Sequence, residues 1–166
     1  MRARQRTSSH PAQQRVKPMI ETQPDLEIDT APLQGLVGYA ARRASMVLLE
    51  RFMTQMAPLD LRPVPFTLLS LIGANPGITS TQLCTELAIQ SSNLVGLVKQ
   101  LQDRSLIRRQ PHPCDGRAVG LHLTPAGRVL LSRASQVAAQ ADRQATARLT
   151  DAEVRKLLSL LQKICS

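Results

Sequence analysis

The chain has 166 residues, the length of one typical domain, and 43% of them are hydrophobic, which is enough to form a core. Its net charge of +9 is unusual for a soluble enzyme and favours a polyanionic partner, either nucleic acid or an anionic membrane surface. Only three residues, Tyr39, Phe52 and Phe66, are aromatic, too few for a domain that stacks bases on aromatic side chains.

The N-terminal 30 residues are polar and change the sign of their charge along the segment. Residues 1–18 carry five basic residues and no acid, whereas residues 19–30 carry four acids. We expect a flexible arm over residues 1–30 and a single domain over 31–166. A solvated tail without a role and an arm that follows DNA are both compatible with this composition.

Apolar residues recur at three- and four-residue steps from Pro32 to Met56, which predicts an amphipathic helix of about 22 residues. Pro58 and Pro63 end this helix. A second helix begins with Pro63 and Pro65 in its first turn, where a missing N–H costs little. It ends in the turn Asn75-Pro76-Gly77.

Two helices joined by a short link follow. Thr79 and Gln82 have the spacing of a capping box, which predicts a helix to about Leu87. After Ala88-Ile89-Gln90, we expect Ser91 to cap a helix that runs to about Arg104. Its core face comprises Leu94, Leu97, Val98 and Leu101. This is the layout of a helix-turn-helix.

A basic hairpin and two further helices complete the chain. Two strand-like runs at residues 106–110 and 118–123 flank a turn over 111–117. Thr124-Pro125 opens a helix through about Leu149, and Thr150-Asp151-Ala152-Glu153 caps the last helix. Residues 104–133 carry six arginines and one acid, so the basic excess is concentrated around the hairpin, which favours DNA over a membrane.

The predicted fold is mainly α with a small β-hairpin wing: a winged helix-turn-helix with N- and C-terminal dimerisation helices. The winged helix takes about residues 61–125, and the dimerisation helices about residues 32–57 and 125–165. Because the terminal helices would expose large apolar stripes in a monomer, we expect a symmetric homodimer.

Residues 61–131 resemble the multiple antibiotic resistance regulator (MarR) family of bacterial transcription factors. The resemblance rests on ordered apolar positions and, most clearly, on Asp115-Gly116-Arg117-Ala118 followed by Leu123-Thr124. It implies a homodimer that binds double-stranded DNA at a pseudo-palindromic operator, usually as a repressor, and that responds to a small phenolic or aromatic acid or its CoA thioester. Gly96 and Ser105 depart from the pattern, because the family often has a basic residue and a glycine there.

The side chains expected to bind DNA lie on both helices of the helix-turn-helix and on the wing. Small polar groups let the second helix enter the major groove, where amides pair with adenine and a lysine with guanine or phosphate. The first helix would contact phosphates, and an arginine at the hairpin tip would enter a narrow minor groove. The candidates are Thr79, Ser80, Thr81, Gln82, Ser91, Ser92, Asn93, Val95, Lys99, Gln100, Arg108, Arg109 and Arg117. By the resemblance, Asp115 holds the wing in shape.

The resemblance also implies an effector cleft between the dimerisation helices and the winged helix. Candidate residues combine apolar walls with guanidinium groups that would pair with a carboxylate or phosphate. They are Tyr39, Arg42, Arg43, Met46, Phe66 and Arg128. Core positions for Met46 and Phe66, and plain surface positions for Arg42 and Arg43, are the alternatives.

Three widely spaced cysteines without a CxxC pair indicate a reduced, cytoplasmic location, and no apolar run has the length of a membrane span. We expect no metal site, no cofactor and no enzymatic activity, because the sequence has no catalytic array and no phosphate loop. Two alternatives remain: a nucleoid protein that binds DNA without sequence choice, and a regulator controlled by oxidation of a cysteine. Among the cysteines, Cys114 lies in the basic wing, where nearby arginines would lower its pKa.

Overall fold

The computed structural model of the protein describes residues 28–112 and 115–165, and for His112 and residues 115–118 only the backbone is considered. The chain divides into two units, Met1–Gly35 and Leu36–Ser166. In the first unit, the described part contains one short helix, α1 (Ala31–Gln34). The other described elements belong to the second unit.

In the second unit, the described residues form six helices and three strands. The helices are α2 (Val37–Met56), α3 (Pro63–Ala74), α4 (Ser80–Leu87), α5 (Ser91–Asp103), α6 (Pro125–Ala145) and α7 (Asp151–Cys165). The strands are β1 (Ile78–Thr79), β2 (Ile107–His112) and β3 (Asp115–Leu123), and the 3₁₀ turn Ala57–Leu59 follows α2. This order confirms the mainly helical winged helix-turn-helix. None of the helices in this part of the chain is long and apolar enough to cross a membrane.

The prediction of one helix from Pro32 to Met56 is wrong at its N-terminal end. Helix α1 stops at Gln34, and the backbone of Leu36 is extended, with φ −94° and ψ 119°. The intervening Gly35 is a poor helix former, and apolar periodicity does not show where a backbone dihedral breaks. Helix α2 then runs for 20 residues to Met56.

Local capping signals account for most of the other helix starts. Thr79, Thr124 and Thr150 lie at the N-terminal ends of α4, α6 and α7, as predicted, and each hydroxyl accepts a backbone N–H three residues on. At the starts of α4 and α7 the side chains of Gln82 and Glu153 in turn accept the backbone N–H of Thr79 and Thr150, respectively, which completes two capping boxes. These contacts need only a spacing of three residues, so the sequence shows them directly.

Two predicted boundaries are wrong. Ser91 is the first helical residue of α5 and not its cap, because Gln90 takes the extended N-cap conformation. Helix α6 ends at Ala145 rather than near Leu149. There Thr146 bonds the carbonyl of Asp142 with both its N–H and its hydroxyl, at 2.9 and 2.8 Å, and the helix gives way to a turn.

The wing is a three-stranded antiparallel sheet in the order β1-β3-β2, whereas the sequence predicts a two-stranded hairpin. Strand β1 is two residues long, too short to show alternation, and pairs Ile78 with Leu121 and Thr79 with Gly120. A Cβ on Gly120 would lie 2.7 Å from the carbonyl oxygen of Gly77, so this close approach requires glycine. Strands β2 and β3 reach His112 and Asp115, which makes the predicted turn over 111–117 too long.

The core lies where α3, α4, α5, α6 and the sheet meet. Helix α2 packs along α6 but buries only Met56, and α7 buries no residue within its described span. These two helices therefore expose apolar surface that the protomer does not cover. The core residues are Met56, Leu61, Leu68, Leu69, Ile72, Leu83, Leu94, Val98, Leu101, Leu106, Ile107, Leu121, Leu123 and Ala134.

Candidate nucleic-acid interface

A tight link holds α4 and α5 as a helix-turn-helix. Ala88 has a left-handed backbone, with φ 50° and ψ 40°, and its N–H points to the carbonyls of Cys84 and Thr85. The N–H of Ile89 bonds the Cys84 carbonyl at 3.2 Å. The chain thus changes direction within three residues, and α5 continues with Leu94, Val98 and Leu101 buried and Leu97 half-buried.

The opposite face of α5 is open to solvent. Val95 is 60% exposed, and a Cβ on Gly96 would meet nothing within 4 Å outside the helix and its chain neighbours. The face is therefore shallow as well as exposed, which suits insertion into a major groove. The predicted base-reading residues that lie on the exposed surface of α5 are Ser91, Ser92, Asn93, Val95, Lys99 and Gln100.

Lys99 has a partner within its own helix. Its Nζ lies 2.6 Å from Oδ2 of Asp103, and the two side chains are 73% and 62% exposed. An exposed pair of this spacing contributes only about 0.3–0.5 kcal/mol, so a phosphate can replace the carboxylate. Asp103 thus offsets the charge of Lys99 on this face.

The first turn of α4 has two kinds of polar group. The side chains of Thr79 and Gln82 bond to each other and to the backbone of the capping box, with distances of 2.9 to 3.3 Å. Ser80 and Thr81 are exposed, and first-turn N–H groups have no acceptor within their helix. Of the four residues predicted here, Ser80 and Thr81 are the ones placed to contact a phosphate.

The wing arginines do not share one face. Arg108 pairs with His122 and Arg109 with Leu121 across β2 and β3, and successive residues of a strand point to opposite faces. Both arginines are exposed, and their side chains therefore lie in two separate environments. The side chains of Asp115 and Arg117 lie outside the described residues.

Arg104 has a structural contact that sequence reasoning missed. Its Nη1 and Nη2 donate to the carbonyls of Asp60 and Leu59 at 2.6 and 3.1 Å, and its guanidinium lies 3.6 Å from the Asp60 carboxylate. These contacts fix the C-terminal end of α5 to the turn after α2. The partners are 44 and 45 residues apart, so no local spacing reveals them.

Thr124 joins the wing to α6. Its hydroxyl donates to the carbonyls of Ser105 and Leu106 at 2.7 and 3.2 Å and accepts from the N–H of Gly127 at 3.0 Å. A Cβ on Gly127 would lie 2.0 Å from the Leu106 carbonyl oxygen. The helix start, the end of β3 and the start of β2 are therefore packed against one another.

A cavity of about 300 Å³ lies between α2, α3 and α6, and we call it the helical cavity. Its walls are mostly apolar, with the rings of Phe52 and Phe66 5.5 Å apart between centroids, and Asp142 is the one charged residue that lines it. Phe66 is thus the one predicted effector residue on its wall. Tyr39, Arg42 and Arg43 lie further toward the N-terminus of α2, with Tyr39 half-buried and the two arginines exposed. Met46 lies between the cavity residues Ser45 and Leu48 but is exposed and does not line the cavity.

A second cavity, of about 360 Å³, lies between the C-terminal end of α3, the sheet and the start of α6. We call it the wing-base cavity. It is lined by Arg128, the remaining effector candidate, together with Arg108 and His122. The structure thus distributes the predicted effector residues over two sites and an exposed helix surface.

The cysteines that the structure describes are free: Cys84 is half-buried against the core and Cys165 is exposed. Cys114, the redox candidate of the wing, lies outside the described residues. Over residues 28–111 and 119–165, no group of three His, Cys, Asp or Glu side chains is arranged to hold a metal ion.

Comparisons with known proteins agree on one family. A family model described as MarR family matches residues 59–118. The HTH-type transcriptional repressor Rv2887 of Mycobacterium tuberculosis is 30% identical over 138 residues, which covers 83% of this chain and 96% of the relative. The multiple antibiotic resistance protein MarR of Salmonella typhimurium is 30% identical over 141 residues, or 84% and 95% of the two chains.

Solved structures extend this likeness to the fold. The transcriptional repressor CouR bound to a 23-mer DNA duplex matches with a TM-score of 0.79 and 35% identity, covering 84% of this chain and 99% of that one. CouR bound to p-coumaroyl-CoA matches with a TM-score of 0.73, 34% identity and coverages of 84% and 98%. Rv2887 in complex with salicylic acid matches with a TM-score of 0.64 and 28% identity, covering 77% of this chain and 95% of that one.

Proposed function

The chain belongs to the MarR family of transcriptional regulators, and from this premise we propose that it is a homodimeric repressor released from a pseudo-palindromic operator by a small aromatic acid or its CoA thioester. The observation that carries the proposal is the exposed, shallow, polar face of α5 in a helix-turn-helix. A repressor of this fold, CouR, has been solved on DNA.

In this proposal α5 enters the major groove and α4 lies across the backbone. Asn93 and Gln100 have the amide groups that pair with adenine, and Val95 can contact a thymine methyl group. The free first-turn N–H groups of Ser80 and Thr81 would bind a phosphate. Arg109 and Arg117 would contact the backbone and the minor groove.

The same proposal assigns dimerisation to the terminal helices, residues 37–56 and 125–165. Helices α2 and α7 expose large apolar side chains, among them Val47 at 50% and Ile164 at 68%. Covering such stripes with a second copy would place two copies of α5 on two half-sites, about one turn of DNA apart.

The helical cavity is the proposed effector site. Its apolar walls suit an aromatic ring, and its volume of about 300 Å³ lies at the small end of ligand pockets. Arg42 precedes the cavity residue Ser45 by three positions on α2, so the two share a helix face. We assign Arg42 to the effector's anionic group: the carboxylate of an aromatic acid, such as the salicylic acid in Rv2887, or a phosphate of a CoA thioester, such as the p-coumaroyl-CoA in CouR.

Operator binding is tested by fluorescence anisotropy with the DNA upstream of the protein's own gene, at a stated salt concentration. We expect tight binding that scrambled competitor DNA does not displace at equal concentration. Gln100→Ala should weaken binding by about 10-fold, the loss of about 1–3 kcal/mol of base contact, whereas Gln140→Ala on α6 should not. Equal affinity for scrambled DNA would instead indicate a nucleoid protein.

The effector site is tested with salicylate and p-coumaroyl-CoA added to the protein–DNA complex. At least one of them should lower operator affinity in the wild type. Ala138→Leu fills the helical cavity from α6 without touching α5, so it should retain operator binding and lose the response. A full response in this variant would reject the helical cavity as the effector site.

A further inference from the structure

The wing-base cavity gathers three nitrogen-bearing side chains from separate elements. Arg108 from β2 and His122 from β3 are cross-strand partners on one sheet face, and Arg128 comes from α6. The cavity is distinct from the helical cavity because the two have no lining residue in common, and their nearest lining residues on α6, Ser132 and Ala138, are more than one and a half turns apart.

The charged side chains that line this cavity are all positive. No carboxylate is among the residues that line it. In the described part of the chain, the ion pairs are Lys99–Asp103 and Arg104–Asp60, so neither Arg108 nor Arg128 is neutralised by a neighbouring acid there. Two guanidinium groups around one cavity, neither with a carboxylate partner among the described residues, favour an anion with at least two negative charges.

Arg128 is held in position rather than free to swing. Its Nη1 donates to the carbonyl oxygen of Leu123 at 3.2 Å, which leaves the other nitrogen atoms of the guanidinium for a ligand. His122 adds a ring nitrogen that can donate from the opposite wall. The three groups therefore surround the cavity from two sides.

Apart from Ser132, the rest of the wall is apolar. Ile72 on α3, Pro76 just after α3 and Leu131 on α6 line the cavity, and Gly73 lets Leu131 pack closely against α3. A Cβ on Gly73 would lie 2.8 Å from Cδ2 of Leu131. A bare phosphate would use the arginines but leave this surface uncovered, so the site fits an anion with a small apolar body.

We propose that the wing-base cavity is a second effector site, which binds a compact organic dianion, a phosphomonoester or a dicarboxylate, and thereby lowers DNA affinity. The effect on DNA rests on the proposed function, whereas binding itself does not. A bound dianion cancels positive charge at the base of the wing, and Arg108 lies on the strand that leads to the wing tip. The wing should then be attracted less strongly to the phosphates of the DNA backbone.

Calorimetry on the full-length protein without DNA tests the site. Phenyl phosphate represents the phosphomonoesters and phthalate the dicarboxylates. Two controls separate the contributions: inorganic phosphate has the charge without the ring, and phenol has the ring without the charge. We expect saturable binding of at least one of the two dianions, at least 10-fold tighter than either inorganic phosphate or phenol. No saturable binding of either dianion, or equal affinity for inorganic phosphate, would overturn the proposal.

Variants then locate the binding. Arg108→Gln and Arg128→Gln should each weaken it at least 10-fold, whereas Arg133→Gln, an exposed arginine of α6 outside the cavity, should leave it unchanged. Ala138→Leu, which fills the helical cavity, should also leave it unchanged. Binding that survives both cavity arginine substitutions, or that Ala138→Leu removes, places the ligand elsewhere and contradicts the assignment.

Anisotropy with operator DNA tests the coupling to DNA. The bound dianion should lower operator affinity several-fold at constant ionic strength in the wild type and in Ala138→Leu, but not in Arg128→Gln. If the protein binds the dianion but no DNA, the proposed function fails and the site stands. If it binds DNA and the dianion has no effect, the regulatory part of the proposal is wrong.

Discussion

At the scale of single residues, backbone geometry explains two positions better than side-chain chemistry does. Gly127 lies where a Cβ would meet the Leu106 carbonyl oxygen at 2.0 Å. Ser105 has φ 57°, a left-handed conformation that favours glycine, which is why its family often has glycine there. Gly96, by contrast, has open space around it, so its absence of a side chain serves no packing role within the protomer.

Gly127→Ala should therefore destabilise the protein, while Gly96→Ala should stabilise it. The first substitution forces α6 away from the Leu106 carbonyl just before β2, and it should lower the free energy of unfolding by about 1–3 kcal/mol, as overpacking does. The second replaces a glycine in a helix interior with a better helix former, so it should raise the free energy of unfolding by up to about 1 kcal/mol. Thermal unfolding of both variants by circular dichroism measures the difference, and equal midpoints would contradict this reading.

The charge on α5, the proposed DNA-reading helix, gives a second residue-scale prediction. Asp103→Asn frees Lys99 and removes one negative charge, so it should raise operator affinity. The plot of log affinity against log salt should steepen by about 0.9 for each additional phosphate contact. Asp142→Asn, the same charge change on α6, is the control and should leave both quantities as they are. A weaker complex for Asp103→Asn would show that Asp103 itself is needed.

At the scale of elements, the start of α7 carries a pH-sensitive cap. The backbone N–H and then the hydroxyl of Thr150 donate to Glu153 and hold the pKa of its carboxyl below the ordinary glutamate value. Because the folded pKa is the lower one, the charged carboxylate stabilises α7 fully above the unfolded pKa of about 4.3. This contribution is lost as the pH falls through the lowered pKa.

Glu153→Gln keeps an acceptor at this cap but not the charge, so it should be less helical than the wild type at neutral pH. The difference should disappear once the pH has fallen through the lowered pKa. A carboxyl-carbon NMR titration of the wild type gives the pKa directly, and circular dichroism of both proteins follows the helix. If the difference in helix content between the two proteins is as large in acid as at neutral pH, it arises from packing and not from the charge of Glu153.

At the scale of the whole molecule, the described protomer has more apolar surface than it buries. On α7, the side chains of Leu157, Leu158, Leu161 and Ile164 are 41–68% exposed. Packing against α6 covers only part of the apolar surface of α2. A stable chain in water needs these surfaces covered. In the proposed dimer, function and assembly are linked, because the same helices would set the spacing of the two DNA-reading units.

Leu161→Glu should convert the proposed dimer into a monomer that is still folded, since α7 buries no residue within its described span in the protomer. Losing the second half-site should weaken operator binding by about 100-fold or more. Ser159→Glu adds the same charge on the opposite side of α7 and should remain dimeric. Analytical ultracentrifugation checks both variants, and a Leu161→Glu dimer of wild-type affinity would remove α7 from the interface.

The sequence by itself determined features that depend on neighbours a few residues apart. The caps at Thr79, Thr124 and Thr150, the three-residue link before α5 and the apolar face of α5 all follow from local spacing, and the structure has each of them. The wing motif and the order of elements were enough to identify the family. Where local rules compete, as at Gly35 and Ser91, the boundaries were wrong.

Tertiary structure alone decided what depends on residues far apart in the chain. The pairing of β1 with β3 and the anchoring of Arg104 on the turn after α2 have no sequence signal. The two cavities likewise combine side chains from three elements, and so divide residues that sequence reasoning had placed in one cleft. The physical reason is that local hydrogen bonds fix the elements, whereas packing fixes which side chains meet.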